Sequence, residues 1–223
     1  MKDIRILPDA EAVAQAAADF LSDQITSCVD EKGICHVALP GGSTPARCLE
    51  LLSSMHLPWS SVHWYVGDER CYPVAHPERN DTMIAQQLWS RIETPMDNLH
   101  PIPAELGPEL AAEKYTALIN QIGRLDIVVL GIGEDGHTAS LFPGNPALDN
   151  EQAVVPVYNA PKPPPQRVSL GLATIQAAGQ RIILVSGSGK REAMANIEQG
   201  KQLPVSRIGP ARWFVDEAAA DNK

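Results

Sequence analysis

The sequence predicts an α/β protein in which a mostly parallel sheet is flanked by helices. Segments of strand character alternate with segments of helical period along the chain, the pattern of βαβ units. Several apolar runs also pass directly into glycine-rich turns that open helices, as happens at the carboxyl ends of parallel strands. With 223 residues, 44% of them hydrophobic, the chain has enough apolar material for one substantial core, so residues 1–223 are expected to form a single domain.

The elements follow in order. Over 9–31, Val13, Ala16, Ala17, Phe20, Leu21 and Ile25 fall on one helical stripe, with Asp9 placed to cap the start and Gly33 just past the end. A strand over 34–39 leads into a helix opening at Gly41, Gly42, Ser43, Thr44 and Pro45. A second strand covers 61–66, and a long connection precedes a helix over 80–91. Leu110, Ala111, Tyr115, Leu118, Ile119 and Ile122 mark a further helix that feeds a strand over 125–130. Later strands are expected over 153–157, 181–185 and 211–215. The segment 160–166 is made stiff and extended by its prolines and reads as a loop over the surface; there is no internal repeat.

A net charge of -9 creates no field that attracts nucleic acid or an anionic membrane surface, so an anionic ligand must be met by local groups. No stretch approaches the roughly 18 uncharged apolar residues of a membrane span. Asp3, Arg5, Asp9 and Glu11 interrupt the region where a signal peptide needs its apolar run, which predicts a cytoplasmic protein. Cys28, Cys35, Cys48 and Cys71 show no C-x-x-C pair and no histidine at zinc-ligand spacing; they are expected to be reduced, mostly buried thiols, and no metal site is expected.

Chemistry is expected in the turns after the strands. In the first, Gly41 and Gly42 allow close backbone approach, Ser43 or Thr44 can cap, and Pro45 suits the first helical turn; a helix N-terminus with two hydroxyls is an anion site, though a capped helix without a ligand would look the same. In the second, Asp68 and Arg70 project from alternate positions and can reach a shared cleft, against the alternative of a solvated charge cluster.

The third turn, "GIGEDGHTASLFPG", spells the G-x-G-x-x-G spacing of dinucleotide sites, but Glu134 and Asp135 would meet a pyrophosphate with two negative charges. The acidic residue expected about 20 residues on is also missing, since the region around Val154 is apolar. What the loop offers is Asp135 two residues before His137, a carboxylate able to orient an imidazole as a general base. The fourth turn resembles a phosphate-binding P-loop only in part. Leu184 stands where glycine is needed and Arg191 where serine or threonine is needed, which leaves Ser186, Gly187 and Gly189 as a flexible turn delivering Lys190 to a helix start.

In this order and spacing, "LPGGSTP", "VGDER", "GIGEDGHTASLFPG" and "SGSGKREA" make the chain resemble the 6-phosphogluconolactonase family over essentially its whole length. The resemblance implies a modified Rossmann-type sheet shared with sugar-phosphate isomerases and deaminases. It implies hydrolysis of 6-phospho-D-glucono-1,5-lactone in the oxidative pentose phosphate pathway, with no metal and no cofactor. By the same resemblance His137 activates water, Asp68 and Arg70 organise the reacting end, and Gly41, Gly42 and Ser43 hold the phosphate together with Arg167 and Lys190. The expected partner is a small-molecule sugar-phosphate lactone, with no nucleic acid or membrane, bound by a monomer or homodimer. Glucosamine-6-phosphate deaminases carry a similar loop, D-G-H-I-A-F-N-E-P, whose glutamate completes a proton relay; Phe142 stands at that position here. A sugar-phosphate-binding regulator on the same scaffold would keep Ser43 and Lys190 and have no use for His137.

Overall fold

The structure is a computed structural model and describes residues 3–220. Seven strands form the main sheet: β1 (Ile4–Leu7), β2 (Cys35–Leu39), β3 (Val62–Val66), β5 (Leu99–His100), β6 (Ile127–Gly131), β9 (Gln180–Val185) and β10 (Arg212–Asp216). Their spatial order is β1-β10-β9-β6-β2-β3-β5, and every neighbouring pair is parallel. The central strands β2, β6 and β9 read as near-continuous apolar runs because parallel strands are covered on both faces. β4 (Asp68–Arg70), β7 (Val154–Val157) and β8 (Arg167–Leu170) form a second, antiparallel sheet in the order β4-β8-β7. The strand expected over 153–157 therefore exists but joins this small sheet as an edge, where Pro156 is tolerated because an edge strand leaves half its backbone groups outside the ladder.

Helix α1 (Ala10–Lys32) begins and ends as its residues dictate. The Asp9 side chain accepts the Ala12 N–H at 2.8 Å, and Gly33 turns left-handed at φ 77° while its N–H bonds the Val29 carbonyl. Its buried face packs on β9, β10 and α2 (Ser43–Leu52). The helix expected over 80–91 is shorter, α3 (Asn80–Gln87): Leu88 leaves the helical region at φ −130°, and only a tight turn, Trp89–Arg91, follows. Helix α4 (Pro108–Ile122) packs against β7 and β8, so it covers the small sheet before the chain enters β6. α5 (Leu172–Ala177), α6 (Arg191–Glu198) and α7 (Glu217–Ala220) complete the fold.

The two sheets are joined where the site lies. Gly67 sits between β3 and β4; its N–H bonds the Leu39 carbonyl at the end of β2, and its carbonyl accepts the Leu170 N–H at the end of β8, both at 2.8 Å. The small sheet is thereby pinned against the carboxyl ends of the main strands. Inside, Tyr115 from α4 is fully buried, and its hydroxyl accepts the Val66 N–H at 2.9 Å and donates to the His100 carbonyl at 2.9 Å.

Candidate active site

The turn after β2 opens α2, with Gly42 at the cap position and φ at 104°, a conformation open to glycine. Ser43 and Thr44 provide no side-chain cap; instead Thr44 Oγ1 lies 2.5 Å from Ser186 Oγ and ties this turn to the one after β9. Gly41 is required by a close approach, since a Cβ there would fall 2.0 Å from Asn80 Oδ1.

β4 brings the second set. Asp68 is only 6% exposed and is held from two sides: Ser140 Oγ donates to Oδ2 at 2.6 Å, and Asn80 Nδ2 donates to its carbonyl at 2.6 Å and to Oδ1 at 3.3 Å. Arg70 pairs directly opposite Arg167 in the β4–β8 ladder, which puts the two side chains on the same face of the small sheet. Arg70 Nη1 donates to the Glu78 carbonyl at 2.5 Å, and its Nε is buried without a hydrogen-bond partner among the described residues. Arg167 is 5% exposed, donates to the carbonyls of Lys162, Pro163 and Pro164, and stands 5.4 Å over the Phe142 ring. The proline-rich 160–166 segment thus does more than skirt the surface: its carbonyls orient a cation. Burial lowers the Arg167 pKa from its ordinary value, against the raising influence of the Asp68 carboxylate, and the neighbouring Arg70 charge lowers it further.

Glu69, between them, has a different task. It is fully buried and accepts N–H groups from Arg70, Asn80 and Asp81, each at 2.8 Å, so it caps α3 in place of a residue on the helix itself. Burial and the nearby Asp81 carboxylate push its carboxyl up to about 7 against the pull of those donors.

The turn after β6 remains irregular from Ile132 through Asn145, with no helix for a pyrophosphate to cap, in keeping with the failure of the dinucleotide pattern. Its glycines serve His137. Gly133 donates to the His137 carbonyl at 2.8 Å, and a Cβ on Gly133 would fall 2.0 Å from His137 Nδ1. Asp135 Oδ1 lies 2.5 Å from that Nδ1 and accepts the His137 backbone N–H at 3.1 Å. Burial would raise the Asp135 pKa, but attraction to the His137 ring and these hydrogen bonds outweigh it and hold the carboxyl below its ordinary value. The imidazole packs on Phe142, ring centroids 4.4 Å apart.

One cavity of about 180 Å³ gathers these turns. Gly41, Gly42, Asp68, Arg70, His137 and Arg167, all singled out from the sequence, line it. Asn80, Gly131, Gly133 and Ala139 line it as well. Asp135 acts from behind His137. Ser43 and Lys190, expected at the phosphate end, are not among the lining residues. Ser43 is the exposed first residue of α2, after Gly42 at the cap, and Lys190 ends a tight turn, Ser188–Lys190, whose Gly189 faces Glu134. A larger cavity of about 420 Å³ lies elsewhere, against Trp213 and the 200–211 segment, and contains none of these groups. Asn80 and Ser140 escaped the sequence because each acts through Asp68, 12 and 72 residues away, at no motif spacing.

A family model described as glucosamine-6-phosphate isomerases/6-phosphogluconolactonase matches residues 8–217. The chain belongs to this family. Among family members, a 6-phosphogluconolactonase of Nostoc sp. is 32% identical over 98% of this chain and 97% of its own. In three dimensions the chain is similar to the crystal structure of 6-phosphogluconolactonase from Thermotoga maritima, with a TM-score of 0.90, 27% identity, and coverage of 96% of this chain and 99% of that one. It also shares its fold with a monomeric glucosamine-6-phosphate deaminase, at a TM-score of 0.86 and 21% identity over 98% of each chain. The mostly parallel sheet flanked by helices is shared with both of these structures.

Proposed function

We propose that this protein hydrolyses 6-phospho-D-glucono-1,5-lactone to 6-phosphogluconate in the oxidative pentose phosphate pathway. The observation that carries this reading is the His137–Asp135 pair opening on a cavity walled by Arg70 and Arg167, with Phe142 packed on the imidazole where a deaminase carries its relay glutamate. An apolar ring at that place offers no proton path for isomerisation and leaves a base suited to activating water.

With its Nδ1 hydrogen directed to Asp135, His137 presents Nε2 as an acceptor. It removes a proton from water as the water oxygen bonds to C1, and the electrons of the C=O bond move onto the carbonyl oxygen. Arg70 stabilises that oxyanion. The tetrahedral intermediate collapses by breaking the bond from C1 to the ring oxygen, which takes the proton back from His137. The Asp68 carboxylate is buried and accepts from Ser140 Oγ and Asn80 Nδ2, so it organises the wall rather than attacking. Gly41 and Gly42 at the start of α2, with Arg167, are assigned to the phosphate; the family resemblance adds Ser43 and Lys190, neither of which lines the cavity. Fixing the phosphate places C1 beside His137 without further loss of freedom.

The same reading places the enzyme in the cytoplasm, working as a monomer or homodimer on a free metabolite. Its four cysteines are all free thiols, as suits a reducing compartment. The deciding experiment generates the lactone enzymatically and follows its disappearance with and without the protein. Accelerated hydrolysis supports the assignment. Release of ammonia from glucosamine 6-phosphate would move the protein to the deaminase branch, and binding without turnover of either would make it a regulator.

A further inference from the structure

At the opposite end of the main-sheet strands from the active site, three side chains that no step of lactone hydrolysis uses converge at the amino ends of the central strands β2 and β6. Cys28 lies in the last turns of α1, Cys35 begins β2, and Asp126 immediately precedes β6. One ligand atom from each lies within 4.8 Å of the other two. We propose that Cys28, Cys35 and Asp126 form a binding site for one thiophilic divalent cation of the zinc type.

The geometry comes from the chain reversal at Gly33, whose left-handed conformation folds the end of α1 back along the start of β2 and sets two cysteines seven positions apart face to face. Ligands held about 2.0–2.3 Å from a tetrahedral zinc ion stand roughly 3.3–3.8 Å from one another, so closure around an ion needs a contraction of about 1.5 Å at most. The carboxylate is already aimed: Oδ2 accepts the His36 N–H at 2.9 Å, and Oδ1 takes Lys32 Nζ at 2.5 Å. Cys35 is fully buried, whereas Cys28 is half-buried and lines a cavity together with Ser27, Lys32, Asp126 and Gln180. An ion enters by that route, and a water from it completes four-coordination.

Charge favours the same occupant. Two thiolates offset the two charges of the cation, and Lys32 offsets Asp126, so the loaded cluster is neutral overall and fully buried Cys35 carries no uncompensated charge. Thiolate donors select zinc-type ions over magnesium or calcium. The spacing 28, 35, 126 matches no linear zinc motif, and only the βαβ topology assembles it.

Cadmium is the probe, because its bonds to thiolate give an ultraviolet charge-transfer band. Titration of the reduced full-length protein is expected to saturate the band at one ion per chain, and zinc is expected to compete it away. Cys28→Ser and Cys35→Ser each abolish the band, and Asp126→Asn weakens binding at least roughly tenfold. Cys48→Ser and Cys71→Ser retain it. Cys28→Ser, at a half-exposed helix position, keeps wild-type lactone hydrolysis, which separates this site from the catalytic one. No band in the wild type, or a band that survives Cys28→Ser or Cys35→Ser, overturns the proposal.

Discussion

His137 is 18% exposed at its side chain, rests on Phe142, and is aligned by a single carboxylate. Its substitution therefore tests chemistry with little cost to folding. His137→Gln is expected to lower kcat by about 10² to 10⁴, the usual contribution of a positioned base, with an unchanged circular dichroism spectrum. Turnover near the wild-type rate would return this histidine to a packing role. Gly133→Ala makes the complementary test, because the added methyl falls 2.0 Å from Nδ1 and must push the ring off Asp135. A large fall in kcat with a melting temperature close to wild type is expected; equal kcat would mean that the Nδ1 contact with Asp135 is dispensable.

At the scale of elements, the short helix α3 matters more than its length suggests. Glu69 caps it, Arg79 precedes it, and Asn80 reaches from its first turn to Asp68 and the Gly41 turn. Arg79 is 2% exposed, and its guanidinium pairs with Asp81 at 2.6 Å and Glu105 at 3.1 Å, lies 3.9 Å from Glu69, and donates to two backbone carbonyls. Arg79→Ala leaves the buried Glu69 carboxylate and the part-buried Asp81 without their cation, and removing one member of a buried pair costs about 3–5 kcal/mol. Urea denaturation measures this, and a loss under about 1 kcal/mol would mean that the carboxylates are satisfied by backbone groups alone. Because α3 carries Asn80 into the cavity wall, the same variant is expected to raise KM at temperatures where it remains folded.

Across the whole molecule, three adjacent strands of the main sheet carry histidines that share one neighbourhood. His63 Nδ1 lies 3.0 Å from His100 Nε2, the His36 and His63 rings are 5.3 Å apart, and Tyr65 stacks on His100 at 4.5 Å. Burial, then the charges of His63 and His36, push His100 down to about 4, and burial lowers His63 and His36 as well. Between about pH 6.5 and 4 the unfolded chain binds protons that the folded chain refuses, so this contribution to stability is complete above 6.5 and is lost as pH falls. Glu69 acts with the opposite sign between its ordinary value and about 7, so the test is a difference: His100→Asn is expected to flatten the fall in stability relative to wild type over that window. Parallel slopes would show that the cluster does not couple to folding. Exhaustive chelation is expected to leave the hydrolytic rate of Cys28→Ser, which lacks the thiol pair, unchanged, because the steps at His137 and Arg70 need no metal; a loss in that variant restored by zinc would sink that mechanism.

What the sequence determined by itself were the features set by neighbours along the chain. The ends of α1 follow from Asp9 and Gly33, the buried strands from their apolar runs, and the His137 turn from glycines that let Asp135 fold back two residues. The charges of Glu134 and Asp135, with the apolar region around Val154, argued against a dinucleotide, and Phe142 argued against a deaminase relay. Only the tertiary structure decided which groups share the cavity. β4 and β8 are three and four residues long, too short for a periodic signal, and exist because they pair with each other; that ladder sets Arg70 beside Arg167. The same long-range packing recruited Asn80 and Ser140 to Asp68, turned Glu69 into a helix cap, and left Ser43 and Lys190 off the wall. Local propensity specifies where a turn is and which side chains it carries, whereas their mutual reach is set by sheet register and by contacts between segments distant in sequence, which local periodicity does not encode.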